Sequence, residues 1–164
     1  MAAEPAHPAD QSERWTPAWL ALVRTQARLW DTVDAQMRRD SGLTMPRYDV
    51  LMQLDGAGGR LGLGELASMI VLSPSGLSKL LDRMEAAGLL RREPDPRDAR
   101  STFARITRHG RSVVRKARQA HHASLQQAFG DALDDRDLAD LVRVMGRLDL
   151  SVPDQARASA RAAG

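Results

Sequence analysis

The chain lacks cysteine altogether, which excludes disulfide bonds, thiol redox switches and thiolate metal sites. It also lacks any apolar run approaching the roughly 18 residues needed to cross a bilayer. Its first ten residues carry neither the basic region nor the apolar stretch of a secretory signal. Aromatic residues make up only 4% of the chain, but apolar content (43%) and charge (27%) are ordinary for a globular protein. These totals predict a cytoplasmic protein, most simply with one domain.

The sequence also lacks the residue arrangements typical of an enzyme or a metal site. The glycine-rich segment 56–62 is not a phosphate loop, because no Gly-Lys-Ser/Thr follows it and no predicted strand precedes it. His121 and His122 are adjacent on a predicted helix and point about 100° apart, so they cannot easily chelate one metal ion. Asp134 and Asp135 stand at a helix start, where capping accounts for them. We therefore predict no enzymatic activity, no metal and no cofactor.

Positive charge is concentrated in the middle of the chain. Residues 74–120 contain twelve Lys or Arg and five Asp or Glu, a net charge of +7, whereas the remaining residues carry −4. A basic middle with acidic flanks is typical of a surface that faces a polyanion such as nucleic acid. An arginine-rich composition would give the same bias without a functional cause, since only two of the 24 basic residues are lysine.

The spacing of apolar residues and the capping signals predict six helices. They cover residues 17–40, 44–55, 63–70, 74–87 and 107–129, and the sixth helix follows a cap at Asp134. The fourth helix has the clearest boundaries, because Ser73 can cap it, Pro74 suits its first turn and Gly88 fits the position just past its end. Thr107 is the expected cap of the fifth helix.

A β-hairpin is predicted directly after the fourth helix. Its two short strands cover residues 89–92 and 102–106. The Pro, Asp and Arg residues at 93–99 suit a mobile loop and not a tight two-residue connection. A helix able to enter a DNA groove, followed by an arginine-bearing β-loop, is the layout of a winged helix-turn-helix. The predicted fold is therefore mainly α, with a small β-hairpin wing.

In this order of elements the sequence resembles the MarR family of bacterial transcriptional regulators. The most specific match is the D-x-R-S pattern of the wing, here Asp-Ala-Arg-Ser at 98–101. It lies ten residues past Gly88 and is followed by Ile-Thr-Arg-His-Gly. The resemblance covers residues 17–150, nearly all of the chain between two tails, 1–16 and 151–164, whose composition predicts disorder.

The resemblance implies a homodimer in which residues 17–40 and 107–150 form the dimerisation helices and residues 46–106 form the winged helix-turn-helix. It implies a repressor that a small, often aromatic ligand releases from an inverted repeat in double-stranded DNA. Such a protein is cytoplasmic, and nucleoid-associated when it is bound to DNA. The alternative is a winged-helix protein-interaction module without specific DNA binding.

The N-terminal part of the fourth helix is the expected reader of the major groove. Its small residues let the helix sit deep, and its N-terminus points N–H groups towards phosphate. Lys79 and Arg83 share a face, where one is expected to read a base and the other a phosphate; a solvated basic face is the alternative. The candidate DNA-binding residues of this helix are Ser73, Pro74, Ser75, Gly76, Ser78, Lys79 and Arg83.

The wing is expected to reach the adjacent minor groove, whose negative potential attracts arginine. Arg97 and Arg100 are the candidates for that contact. Asp98 is expected to hold an arginine by a charge-assisted bond, and the resemblance gives this role to the pair Asp98 and Arg100. The candidate wing residues are Arg91, Arg92, Arg97, Asp98, Arg100 and Ser101; for Arg91 and Arg92, as for Arg105 on the second strand, a phosphate contact or plain solvation is expected.

A ligand site is expected near the first two helices, where the resemblance places the effector crevice. Trp30, Arg47 and Tyr48 could together cradle an aromatic carboxylate, and Asp49 could serve a polar ligand. The alternative is that Trp30 and Tyr48 belong to the core or to the dimer contact, which is commoner for aromatic residues at helical spacing. For Asp49 the alternative is an ordinary charge on the helix surface.

Overall fold

The computed structural model describes residues 8–95 and 98–151. Side chains are described for 14–95 and 101–148. The elements in chain order are α1 (Pro8–Ser41), α2 (Met45–Gly56), β1 (Arg60–Gly62), α3 (Leu63–Met69), α4 (Pro74–Ala86), β2 (Leu90–Asp95), β3 (Asp98–Ile106), α5 (Arg108–Leu125), a π-helical turn (Gln126–Gly130) and α6 (Asp135–Ser151). The predicted fold class, mainly helical with a small wing, is confirmed. Within the described ranges no helix is long and apolar enough to span a membrane.

The core lies between α2, α3, α4, the base of the sheet and the first half of α5. Its largest side chains are almost completely buried, among them Leu51, Leu54, Leu66, Met84 and Leu90. Burying a side chain of this size stabilises a fold by about 1.5–3 kcal/mol. Because these residues come from four different elements, α2, α3, α4 and β2, the middle of the chain packs as one body.

Three predicted boundary residues act as expected around the hairpin. The Ser73 hydroxyl oxygen accepts the Gly76 N–H at 3.1 Å and caps α4. The Thr107 hydroxyl oxygen accepts the Gly110 N–H at 2.9 Å and caps α5. Gly88 takes a φ of +68°, the left-handed conformation that ends α4 and that glycine tolerates best. These local signals fix where the helices on both sides of the wing end and begin.

The glycine-rich segment contains a strand that the sequence analysis missed. In β1, Arg60 pairs with Arg105 and Leu61 with Ala104 of β3, which gives an antiparallel sheet of order β1-β3-β2. Gly58 and Gly59, with φ of +74° and +99°, make the turn that precedes it. Three residues are too few to show a period, and their partners lie more than 40 positions away.

The wing strands are longer than predicted, and the expectation of a seven-residue mobile loop is wrong. β2 runs to Asp95 and β3 starts at Asp98, and these two residues face each other across the sheet. Only two residues separate the strands, with an irregularity in register at Pro94. Proline is tolerated there because β2 is an edge strand, where one N–H faces away from the ladder.

The first helix starts earlier than predicted. Residues 8–16, assigned from composition to a disordered tail, belong to α1, and Pro17 lies inside the helix instead of opening it. Ser151 also belongs to a helix and not to a tail. The remaining tail residues, 1–7 and 152–164, lie outside the described part of the chain.

The last two helices are joined by an unusual turn. α5 passes directly into the π-helical turn. The continuous helical segment therefore ends at Gly130, one residue past the end predicted for the fifth helix. The predicted cap at Asp134 is confirmed and is reciprocal. Its carboxylate accepts the Asp137 N–H at 2.8 Å, and the Asp137 carboxylate accepts the Asp134 N–H at 3.2 Å.

Candidate nucleic-acid interface

The polar face of α4 is open to solvent along its length. Leu77, Leu80, Leu81 and Met84 face the core. The opposite face of the helix is exposed to solvent. Its exposed residues include Pro74, Ser75, Ser78, Lys79, Asp82 and Arg83. Apart from Asp82, these are residues predicted to contact DNA. The helix therefore presents small and basic side chains at its N-terminal half, as major-groove reading requires.

Ser73 and Gly76 form a tight turn at the start of α4. The Ser73 hydroxyl caps the helix and lies 3.4 Å from the Ser75 hydroxyl. A β-carbon at Gly76 would lie 3.0 Å from the Ser73 oxygen, so a larger residue would press on the cap. Both residues are partly buried. Their observed role is to shape the helix start, and contact with phosphate stays a prediction for Ser73.

Arg92 is paired with two carboxylates, whereas a phosphate contact or plain solvation was expected for this residue. Its guanidinium lies 2.6 Å from the Asp82 carboxylate and 2.8 Å from that of Glu85, both on α4. Strand alternation explains the difference: Leu90 is buried, and the residue two positions along shares its face. The alternation of side chains along a strand would have placed Arg92 on the same face as Leu90 from the sequence alone.

The outer face of the sheet carries a row of arginines that the sequence analysis did not assemble. Pairing across β3 aligns Arg60, Arg105 and Arg91. Glu93 binds Arg91 at 2.7 Å and Arg105 at 2.9 Å, and the hydrogen bond from Arg105 is the main cause that lowers the Glu93 pKa. Arg91 is thus exposed but paired.

Arg60 of this row lies over an aromatic ring. Its guanidinium carbon is 3.5 Å from the ring centroid of Phe103, a cation–π contact. The sequence analysis missed the pair because β1 itself was missed. The row as a whole gives the base of the wing a positive outer face.

The remaining wing candidates are described only in part. Arg97 lies outside the described residues. Asp98 and Arg100 lie in β3, but their side chains are outside the described part. Ser101 follows in β3 and is partly buried. The expected minor-groove contact and the pairing of Asp98 with Arg100 stay predictions.

Two of the four candidate ligand residues lie in one crevice. Trp30 and Arg47 line a cavity of about 480 Å³ between α1, α2 and α4, which also includes Arg38, Leu80 and Arg83. The nearby Asp34 is already engaged, because its carboxylate binds Arg38 at 2.7 Å and accepts the Met45 N–H at 2.6 Å. The crevice therefore combines apolar walls with an excess of positive charge.

Tyr48 lies elsewhere, so the expected cradle of Trp30, Arg47 and Tyr48 is not assembled, and Asp49 does not line this crevice either. Tyr48 is buried, and its ring centroid lies 4.7 Å from that of His121 on α5. Successive helix residues diverge by about 100°, so Arg47, Tyr48 and Asp49 cannot all face one pocket. Burial raises the pKa of Tyr48 and of Asp49 and lowers that of His121. This cluster is a packing contact between α2 and α5.

A second cavity, of about 580 Å³, lies between α1, the π-helical turn and α6. Its walls are almost entirely apolar, and they include Leu22, Trp30, Phe129 and Leu141. The two helices that form it, α1 and α6, expose further large apolar side chains, namely Trp15, Trp19, Leu20, Val23, Val142, Val144 and Leu148. Apolar patches of this extent mark contact surfaces for another molecule.

Comparison with known proteins agrees with this geometry. A family model described as MarR family matches residues 41–101. The uncharacterized HTH-type transcriptional regulator YkoM of Bacillus subtilis is 31% identical over 120 residues, which cover 71% of this chain and 77% of that protein. The HTH-type transcriptional repressor IacR of Pseudomonas putida is 26% identical over 126 residues, 77% of this chain and 73% of that protein.

A solved structure gives the same result at the level of the fold. The MarR family regulator Sco3205 of Streptomyces coelicolor, crystallised in complex with DNA, superimposes with a TM-score of 0.78 and 30% identity. The match covers 85% of this chain and 92% of that one. The exposed face of α4, the wing beside it and these matches lead to one conclusion: the chain is a member of the MarR family, whose proteins regulate transcription and are not enzymes.

Proposed function

We propose that the protein is a homodimeric repressor that binds an inverted repeat in double-stranded DNA and leaves it when a small ligand binds. The observation that carries this proposal is the solvent-open face of α4, with Ser75, Ser78 and Lys79 at its N-terminal half and the wing beside it. Two such helices related by a two-fold axis would read two half-sites one helical turn apart.

A second copy of the chain is the best-supported occupant of the apolar surface on α1 and α6. Both helices expose large apolar side chains, and Leu22 and Trp30 of α1 and Leu141 of α6 line one apolar cavity. A two-fold contact needs one surface that is complementary to itself, which a ridge of leucines and valines beside an apolar cavity provides. Pairing through these helices leaves α4 and the wing free for DNA.

The crevice beside α4 supports release by a ligand. Leu80 and Arg83 of the recognition helix form one wall, opposite Trp30 and Arg47. The excess of arginine favours a planar aromatic molecule that carries a carboxylate. A ligand seated there would shift the position of α4, and it would release DNA to the extent that it binds the DNA-free arrangement more tightly.

Repression is the assigned direction because the relative IacR is named a repressor. A dimer that occupies an inverted repeat within a promoter excludes other proteins by simple overlap. The same proposal places the protein in the cytoplasm and, when bound to DNA, on the nucleoid.

The test is selection of bound duplexes from random DNA, followed by titration of the selected sequence at several salt concentrations. We expect a palindrome with half-sites about 10 base pairs apart. Enrichment of no sequence, with equal affinity for all duplexes, would instead indicate a protein-interaction module.

The two lysines of the chain provide a matched pair of variants for this test. Lys79→Ala should reduce the slope of log affinity against log salt by about 0.9 if Lys79 neutralises one phosphate. Lys116→Ala removes the same charge from an exposed position on α5, and it should leave the slope unchanged. Arg100→Ala in the wing should weaken operator binding at least about tenfold, the loss of one good base or phosphate contact.

A further inference from the structure

A network of charged groups joins the recognition helix to the wing. On α4, Asp82 and Glu85 point towards β2, and Arg92 of β2 lies between them. The Arg92 Nη2 atom is 2.6 Å from the Asp82 carboxylate, and its Nε atom is 2.8 Å from Oε2 of Glu85. The backbone N–H of Arg92 donates to the other oxygen, Oε1, of Glu85 at 2.7 Å. We call these three residues the helix–wing clamp.

The clamp has a more defined geometry than an ordinary surface ion pair. Each Glu85 oxygen has its own donor on Arg92, one from the backbone and one from the side chain. Two parallel bonds to a rigid guanidinium and its own main chain fix direction as well as distance. The Glu85 pKa is lowered, chiefly by the bond from the Arg92 backbone, so this carboxylate stays ionised at neutral pH.

The position of the clamp is suited to orienting the wing. Leu90 is the last buried residue of β2, and beyond it the strand runs out towards the tip. Arg92 lies two residues further along that strand. Its partner across the strands, Ala104 of β3, is fully buried, and no described residue of β2 or β3 further towards the tip is buried. The clamp therefore holds the wing at the outer edge of the core, where little apolar packing sets its angle to α4.

We propose that Glu85 and Arg92 are positioning residues for operator binding, which fix the wing relative to α4 so that both can enter adjacent grooves at once. This inference rests on the proposed function. In this proposal Arg92 does not contact DNA. The proposal also explains why α4, a helix that would face the DNA backbone, carries the acidic residues Asp82 and Glu85.

A substitution of Glu85 distinguishes this proposal from a general electrostatic effect, because the two predict opposite changes in operator affinity. Removing a negative charge near DNA should strengthen binding, because repulsion of phosphate is lost. Removing the clamp should weaken binding to the operator, since the wing no longer lies in register with its groove. Glu85→Gln is nearly isosteric, so the fold should tolerate it.

The experiment compares Glu85→Gln, Arg92→Gln and Arg92→Lys in the full chain, titrated against the selected operator and a random duplex of equal length. We expect about tenfold weaker operator binding for all three variants with an unchanged salt slope. Affinity for the random duplex should be unchanged for the two Arg92 variants and should not fall for Glu85→Gln, which loses a repulsive charge. Arg92→Lys keeps the positive charge but loses the planar set of guanidinium donors. Weaker operator binding by this variant would show that the geometry of the contact matters as well as its charge.

Two variants serve as matched controls. Glu65→Gln removes one negative charge from α3, where Glu65 is exposed and forms no ion pair with any side chain that the structure describes. Arg91→Gln removes one positive charge from the other face of β2. Glu65→Gln should not weaken operator binding, and any effect of Arg91→Gln should include a change in salt slope.

Two outcomes would overturn the clamp. One is operator binding by Glu85→Gln that equals or exceeds that of the natural chain. The other is equal weakening of both duplexes by Arg92→Gln, with a slope shallower by about 0.9, which would make Arg92 a phosphate contact.

Hydrogen exchange in the absence of DNA separates the clamp from the proposed function. In Glu85→Gln the amides of β2 and β3 should exchange faster than in the natural chain, while those of α5 should be unchanged. Unchanged exchange in the strands would refute the mechanical link. If the natural chain selects no sequence, the proposed function fails and the positioning role fails with it, whereas faster exchange would still establish the link.

Discussion

The winged-helix body and the outer helices use apolar residues in opposite ways. In the body, residues 43–106, leucines such as Leu51 and Leu66 are completely buried. On α1 and α6 the side chains of Trp15, Trp19 and Val142 are 66%, 64% and 73% exposed. The body satisfies its own packing within one chain. The outer helices carry the large apolar residues of a core but expose them to solvent. This is expected of a surface that is buried only when a second molecule binds to it.

The difference has a consequence for stability and for assembly. A substitution in the body should alter folding of the single chain, because every neighbour comes from that chain. A substitution on the exposed apolar side of α6 should alter association and leave the body unaffected.

A tight backbone contact lies where α5 begins, against the end of the body. A β-carbon added at Gly110 would overlap the carbonyl oxygen of Leu89, and backbone cannot move aside cheaply. We expect Gly110→Ala to destabilise the protein by about 3 kcal/mol, although the same change normally favours a helix. Gly64→Ala, on α3 with nothing within 4 Å of the new carbon, should stabilise by up to about 1 kcal/mol. Urea unfolding of both variants measures this, and equal effects would contradict close packing at Gly110.

The apolar side of α6 should control the oligomeric state. Leu141→Asp places a charge beside the apolar cavity, so we expect the dimer to weaken at least about a hundredfold, since each dimer has two such leucines worth about 1.5–3 kcal/mol each. Ala139→Asp adds the same charge at an exposed position outside that cavity and should have little effect. Sedimentation over a range of concentrations distinguishes the two. A Leu141→Asp dimer as tight as that of the natural chain would refute the interface.

A smaller effect is expected where the body meets α5. Arg118 lies 2.9 Å from the Asp55 carboxylate and contacts the sulfur of Met52. Because the Arg118 side chain is exposed and that of Asp55 is only partly buried, Arg118→Ala should cost no more than about 1 kcal/mol of unfolding free energy. Arg115→Ala, at a nearby exposed position, is the control. A loss well above that value would mean that the two regions depend on each other more than their packing indicates.

The smallest expected effect is a dependence of stability on pH at the α2–α5 contact. Burial lowers the pKa of His121, so on acidification the unfolded chain takes up this proton before the folded protein does. Stability should therefore fall as the pH drops below the unfolded value of about 6.5 towards the folded pKa. His121→Phe, which can keep the ring contact with Tyr48, should lose less melting temperature than the natural chain between about pH 7.5 and about pH 5.5. His109→Phe, an exposed control, should not reduce the loss.

Local chemistry made one part of the molecule predictable from sequence. Ser73, Gly88 and Thr107 act within three residues of the groups that they cap or turn, so their roles could be read directly. β1 could not, because its three residues become a strand only by pairing with β3, far along the chain. The long wing strands were missed for the same reason: Glu93 and Pro94 resemble a loop until Phe103 and Thr102 pair with them.

The candidate site was predictable only in residue type. Lys79 and Arg83 are exposed as expected, because a helix places them opposite its leucines, and their contact with DNA stays a prediction. Arg92 was assigned to DNA because its charge is evident in the sequence, whereas its partners Asp82 and Glu85 are brought near it by the turn after α4. Trp30 and Arg47 share a crevice only because α1 crosses α2 there.

The neck of the hairpin is fastened independently of its tip. The Thr107 hydroxyl donates to the Gly88 carbonyl oxygen at 2.6 Å, and the Thr107 backbone N–H donates to that of Leu89 at 3.1 Å. An inserted peptide between residues 95 and 98 would thus leave the neighbouring helices in place, since doubling a loop costs only about 0.6 kcal/mol. Variants with longer wings can accordingly be used to measure how far the wing extends along the groove, without changes to the rest of the domain.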